Sequence, residues 1–145
     1  MAETSSVVGD KEYEVALHGF YTHGFPNLFH LGSAQNANSV NFVHILTEQA
    51  NHIAAVITKG RETGAAFIEP TAEAENAWCR TIQETSLDNR KFQAECTPGY
   101  YNRVGNPPPV SFSYGPGPVA FHRLLDRWRT QEISQVLAVG DPQKV

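Results

Sequence analysis

From residue 40 to residue 59 the apolar positions recur at helical spacing. With Leu46 as reference and 100° per residue, Phe42, Val43, Ala50, Ile53 and Ile57 all fall within roughly 60° of it. Ser39 or Asn41 can cap the start, and Gly60 or Gly64 can end it. A second helix is predicted over residues 71–87: Pro70 and Thr71 mark its beginning, Glu73 and Glu75 suit the positive end of its dipole, and Ala74, Trp78 and Ile82 form one apolar row. Pro118 suits the first turn of a third helix, in which Phe121, Leu124, Leu125 and Trp128 share a face. Between helices the pattern shortens. LFHL, residues 28–31, is an apolar run between Pro26 and Gly32 that reads as a buried strand. Residues 13–18 read as a short strand or an approach segment, residues 110–114 as one strand inside a long Pro/Gly/aromatic loop over 91–118, and residues 133–139 as a closing strand. The first ten residues read as a loose tail.

Composition narrows the class. A chain of 145 residues with 41% hydrophobic and 18% charged residues has the length and balance of one globular domain. A net charge of −4 and the lack of a basic stripe interleaved with aromatics argue against nucleic acid. No apolar run reaches the ~18 residues of a membrane span, and the polar start lacks a secretory pattern. Two cysteines, Cys79 and Cys96, fit reduced thiols, so a cytoplasmic protein is expected.

Most candidate chemistry has a structural explanation. His44, Glu48 and His52 are spaced like metal ligands, but they lie at about 160° to 240° on the wheel, opposite the apolar stripe, and read as a solvated face. No metal is expected. GPGPVA, residues 115–120, matches G-x-G-x-x-A. Pro116 and Pro118, however, remove the N–H donors a pyrophosphate needs, so a structural turn is expected. NPPPVSFSYGPGP reads as a stiff loop rather than a polyproline ligand, and Cys96, beside Pro98-Gly99, as a small buried residue. His30 is the one acid or base worth placing in a pocket. The stretch from Gly32 through Gln35, Asn36, Ala37, Asn38 and Ser39 to Asn41 is different. There, glycine lets backbone approach a ligand, and the helix behind it aims unpaired N–H groups and roughly half a positive charge at that spot. The residues alone leave a ligand-facing junction and a capped core helix evenly balanced.

GFPNLFHLGSAQNANSVNFVHILTEQANHIA resembles the late segment of flavin-dependent Baeyer–Villiger monooxygenases. IEPTAEAENAWCRTI resembles the stretch that follows it there, and ECTPGYYNRVG is similar to the branch acting on bulky or polycyclic ketones. The resemblance runs from about residue 15 to residue 139. It implies an α/β fragment: the last strand and helix of a Rossmann-like FAD domain over residues 15–64, a helical and loop-rich C-terminal subdomain over 65–145, and a flexible tail over 1–14. It implies that Gly32, Asn41 and Phe42 lie at the pyrimidine edge of the flavin, Phe42 chiefly through its backbone. Gln35, Asn36, Ala37, Asn38 and Ser39 would line the substrate cavity for a bulky ketone.

The departures from the family pattern are as informative. Neither dinucleotide fingerprint of the family is present. Trp78 and Trp128 lack the following proline of its F-x-G-x-x-x-H-x-x-x-W-P signature, and no arginine sits in the catalytic arginine's motif. The FAD pyrophosphate site and the whole NADPH site belong to parts not encoded here, so the chain alone is not expected to perform the oxygenation. It would instead complete a site on a larger flavoprotein chain, or self-associate through an apolar face. The alternatives are a non-catalytic binding or scaffold protein, and a small flavin-independent enzyme acting on a bulky substrate.

Overall fold

A computed structural model describes residues 5–7, 12–32, 35–87, 95 and 113–138 of the chain. The elements are β1 (Ser5–Val7), β2 (Glu12–Glu14), α1 (Phe42–Thr63), β3 (Phe67–Ile68), α2 (Ala72–Thr85), α3 (Pro118–Gln131), a 3-10 turn (Ile133–Gln135) and β4 (Leu137–Ala138). Within the segment read as a tail, β1 and β2 pair antiparallel, with Ser6 opposite Tyr13.

The helix termini follow the local chemistry. Asn41 caps α1 by accepting from the His44 N–H at 3.0 Å, and Gly64, in the left-handed conformation at φ 68°, ends it. Thr71 caps α2 through Ala74 N, and Pro118 occupies the first turn of α3. The rows Ala74–Trp78–Ile82 of α2 and Phe121–Leu125–Trp128 of α3 are both buried, with Leu124 partly so. GPGPVA is the turn that delivers α3. A Cβ on Gly115 would overlap the Thr85 carbonyl oxygen at the end of α2, so this position is closed to other residues.

Two sequence expectations are corrected. The buried face of α1 is Ile45, Gln49, His52, Ile53, Val56 and Gly60, roughly a quarter turn from the predicted stripe. His52, read as solvated, is fully buried, while Phe42 (51% exposed), Val43 (74%) and Ile57 face outward. The reason is what packs there: Phe20 stacks on the His52 ring at 4.8 Å, Trp128 closes on it at 5.7 Å, and the Ile68 side chain comes within 3.2 Å of where a Gly60 Cβ would stand. Residues 28–31 form no strand. Their backbone bonds are turn bonds (Leu28 N to Phe25 O) or reach back to the preceding loop (His30 N to Phe20 O), and Leu28 and Leu31 are exposed while Phe29 packs on Tyr21.

The closing segment is only part strand: the 3-10 turn precedes β4, which pairs antiparallel with β3, Phe67 opposite Ala138. The other edge of β3 is closed by a single residue. Asn27 donates its N–H to Ile68 O at 2.8 Å and accepts the Ile68 N–H on Oδ1 at 3.0 Å. The predicted strand over 110–114 falls mostly outside the described residues, as do Cys96 and the proline run. The core joins Leu17, Phe20 and Tyr21 of the N-terminal loop to Ile53 and Val56 of α1, the α2 and α3 rows, and Val136.

Candidate functional site

The segment leading into α1 is anchored from several sides. Gly32 gives both backbone groups to one side chain: Gln49 Oε1 accepts the Gly32 N–H at 3.0 Å, and Gln49 Nε2 donates to Gly32 O at 2.7 Å. Asn36 Nδ2 adds a second donor to the same carbonyl at 2.6 Å. Gln35, held at φ 53°, accepts Ala16 N–H on Oε1, and its carbonyl accepts the Trp78 indole N–H, both at 3.0 Å. The Asn36 carbonyl accepts Tyr114 N–H at 3.0 Å. Gln35, Asn36 and Ala37 are therefore buried, whereas Asn38 and Asn41 are exposed and Ser39 lies between, its hydroxyl accepting the Asn41 N–H. A Cβ on Gly32 would meet nothing within 4 Å. The first turn of α1 holds no acidic residue.

Behind this arm lies a polar inclusion in the aromatic core. His18, at φ 53°, sits between Trp78 and Trp128 with ring centroids at 4.6 and 5.1 Å. His52 Nδ1 lies 3.0 Å from Arg129 Nη1. Because a guanidinium only donates, Nδ1 accepts and the neutral ring carries its proton on Nε2. Burial pushes both histidines down to about 3, helped at His52 by the Arg129 charge and at His18 by His52. Tyr21, raised well above its ordinary value by burial against the opposing pull of Arg129, completes the cluster. Asp126 holds the other arm of Arg129. His18 Nδ1, His52 Nε2 and the Tyr21 hydroxyl are buried without a hydrogen-bond partner among the described residues. This assembly keeps two neutral imidazoles inside an apolar core.

His30 lies apart from the cluster, its Nε2 3.1 Å from the Thr22 hydroxyl. His44 is exposed and meets His122 of α3 edge to face at 5.9 Å, so the three-residue spacing of His44, Glu48 and His52 does not survive as one face. On the far side of the loop, His23 N–H donates to Glu75 at 2.8 Å and Gly24 N–H to Glu69 at 2.7 Å. Burial raises the Glu75 carboxyl, against the lowering effect of that His23 N–H.

No protein-family profile matches the chain. A Baeyer–Villiger monooxygenase of Streptomyces coelicolor is 48% identical over 123 residues, covering 84% of this chain and 20% of that protein. The chain belongs to the Baeyer–Villiger monooxygenase family. The FAD-binding monooxygenase hmp7 of Hypomyces subiculosus is 36% identical over 77% of the chain. The solved polycyclic ketone monooxygenase from Thermothelomyces thermophila superposes with a TM-score of 0.71 at 29% identity, over 84% of this chain and 20% of that one. A steroid monooxygenase bound to NADP shares the fold, with a TM-score of 0.64 and 21% identity. The chain spans about a fifth of the length of these relatives and corresponds to a C-terminal portion of them. The family expected from the three quoted motifs is the family found. Among the described residues no helix is long and apolar enough to cross a membrane.

Sequence reasoning missed Gln49, His52 and the His18–Tyr21–Trp128 cluster. A signal was there: Ile45, Gln49, His52, Val56 and Gly60 recur at helical spacing, a row hidden because two of its members are polar.

Proposed function

We propose that this chain is the portion of a FAD- and NADPH-dependent Baeyer–Villiger monooxygenase that walls one side of the cofactor and substrate site, inactive alone and completed by a larger flavoprotein body. The observation that carries the reading is the direction of α1. Four residues of its predicted apolar stripe, Phe42, Val43, Ala50 and Ile57, are exposed, as are Leu28, Leu31 and Val40 of the segment before it. Exposed apolar surface of this kind suits a protein partner. In finer terms, residues 15–64 supply the terminal part of the Rossmann-like FAD domain and the rest the C-terminal subdomain.

The residues present fit a flavin edge. Gly32 opens onto free space, the half-exposed Phe42 starts the helix, and the positive end of α1 carries no competing carboxylate. Gly32, Asn41 and Phe42 would hold the pyrimidine side, Phe42 chiefly through its backbone. The segment Gln35, Asn36, Ala37, Asn38 and Ser39 would face a bulky ketone, with the first three shaping it from beneath and Asn38 and Ser39 presenting outward. FAD with NADPH supplies the redox chemistry of oxygen insertion next to the ketone. The chain's part is to position, to stabilise negative charge and to exclude water.

A chimera tests this. The matching fifth of the Streptomyces coelicolor relative is replaced by this chain, with the parent enzyme as control. Retained FAD and NADPH-dependent oxygenation of a polycyclic ketone support the reading. A folded, flavin-free chimera beside a flavin-loaded parent overturns it. Sizing chromatography of the chain alone checks the surface: a strict monomer indifferent to the flavoprotein body would remove the partner, and a self-associated dimer would assign the stripe to a second copy.

A further inference from the structure

We propose that Gln49 is a positioning residue for the cofactor- and substrate-facing arm: its buried amide fixes Gly32 and, with Asn36, sets where residues 35–42 stand. The proposal rests on the reading that this arm meets the flavin and the ketone. Gln49 is 2% exposed, on the inner face of α1, seventeen residues along the chain from Gly32. Its Oε1 and Nε2 take the Gly32 N–H and carbonyl as a neighbouring strand would, in a place where no strand forms.

The chemistry leaves little freedom at this position. Gly32 O already receives Asn36 Nδ2 and Gln49 Nε2, so both amides present NH₂ groups to it and neither can be turned round. The side chain must offer a donor and an acceptor side by side at the reach of glutamine. Asparagine is one methylene short, leucine has neither group, and a carboxylate only accepts. A protonated carboxyl, by contrast, offers both. Downstream of the clamp the segment is pinned again by Trp78 on Gln35 and Tyr114 on Asn36, after which Asn38, Ser39 and Asn41 come to the surface. Gln49 thus sets the origin from which the outward residues are measured.

Three measurements decide the matter. In the chimera, Gln49→Leu should keep its FAD yet raise KM for the ketone about tenfold with a smaller change in kcat, the size expected from losing one well-placed buried interaction. Gln49→Glu should behave like the leucine variant at high pH and recover toward the parent as the pH falls and its carboxyl protonates, a pH profile that a simple packing role would not produce. In the unmodified chain, the Gly32 N–H should exchange with solvent about tenfold more slowly than in Gln49→Leu. Unchanged KM in the leucine variant, a flat pH profile for the glutamate variant, or equal exchange at Gly32 overturns the proposal. If the parent chimera holds no FAD, the functional reading fails by itself, and the exchange experiment still judges the clamp. Should the leucine variant not fold, the pH series of the glutamate variant decides.

Discussion

The two faces of α1 are built for different company. The inner face meets Phe20, Trp128, Ile68 and Arg129 with a mixture of aliphatic, amide and imidazole groups, every one buried. The outer flank, a quarter turn away, exposes Phe42, Val43, Ala50 and Ile57. In α2 and α3 the order is the usual one, apolar row inward. In α1 part of the apolar stripe faces outward instead. The polar inner face survives because Gln49 and His52 find partners there.

The largest effect expected on this contrast comes from acid. His18 and His52 are held at about 3 against an ordinary 6.5, so the unfolded chain takes up protons that the folded one refuses. Their contribution is complete above about pH 6.5 and is lost as pH falls toward 3, at about 1.4 kcal/mol per pH unit for each histidine. Glu75, raised by burial, works in the opposite direction over the upper part of that range. Urea titrations followed by tryptophan fluorescence between pH 7 and 4 should show stability collapsing with an uptake approaching two protons. A curve flat to pH 4 would mean the imidazoles are not shut inside.

Next in size is the α2 row. Trp78→Ala removes a buried ring and its bond to the Gln35 carbonyl, and should cost about 3–5 kcal/mol in denaturant melts. Gln49→Leu leaves two backbone groups of Gly32 without their side-chain partner and should cost about 2 kcal/mol. The smallest effect is the sharpest test of the comparison. Val43→Ser on the outer face should change the stability of the chain alone by no more than ~0.5 kcal/mol, yet weaken association with the flavoprotein body in pull-down titrations. A large loss in the chain alone would show that the outer face is already in use.

How legible this was depended on whether a residue's role is carried by hydrophobicity. Ala74, Trp78 and Ile82, or Phe121, Leu125 and Trp128, announce their burial by spacing, and Thr71, Pro118, Asn41 and Gly64 announce the ends by capping chemistry. The α1 phase was misread because apolar spacing does not tell a buried stripe from an exposed one, and because a neutral buried histidine looks polar on paper. The LFHL run failed for a related reason: Leu28 and Leu31 are apolar toward the outside, so burial by this chain was the wrong inference from their character. The arm was visible as a junction of glycine and amides, but not which amides turn inward. Gln49 lies seventeen residues from its partner and only the folded chain brings them together.

The turn at Asn27 has a consequence for how this chain meets others. By taking both polar groups of Ile68, one side chain and one N–H close the outer border of a two-residue strand that would otherwise invite extension. Recruitment of another polypeptide by adding a rung there is blocked. A polypeptide approaching that border finds both backbone groups of Ile68 already taken and can engage only side chains there, a more selective form of contact than backbone templating.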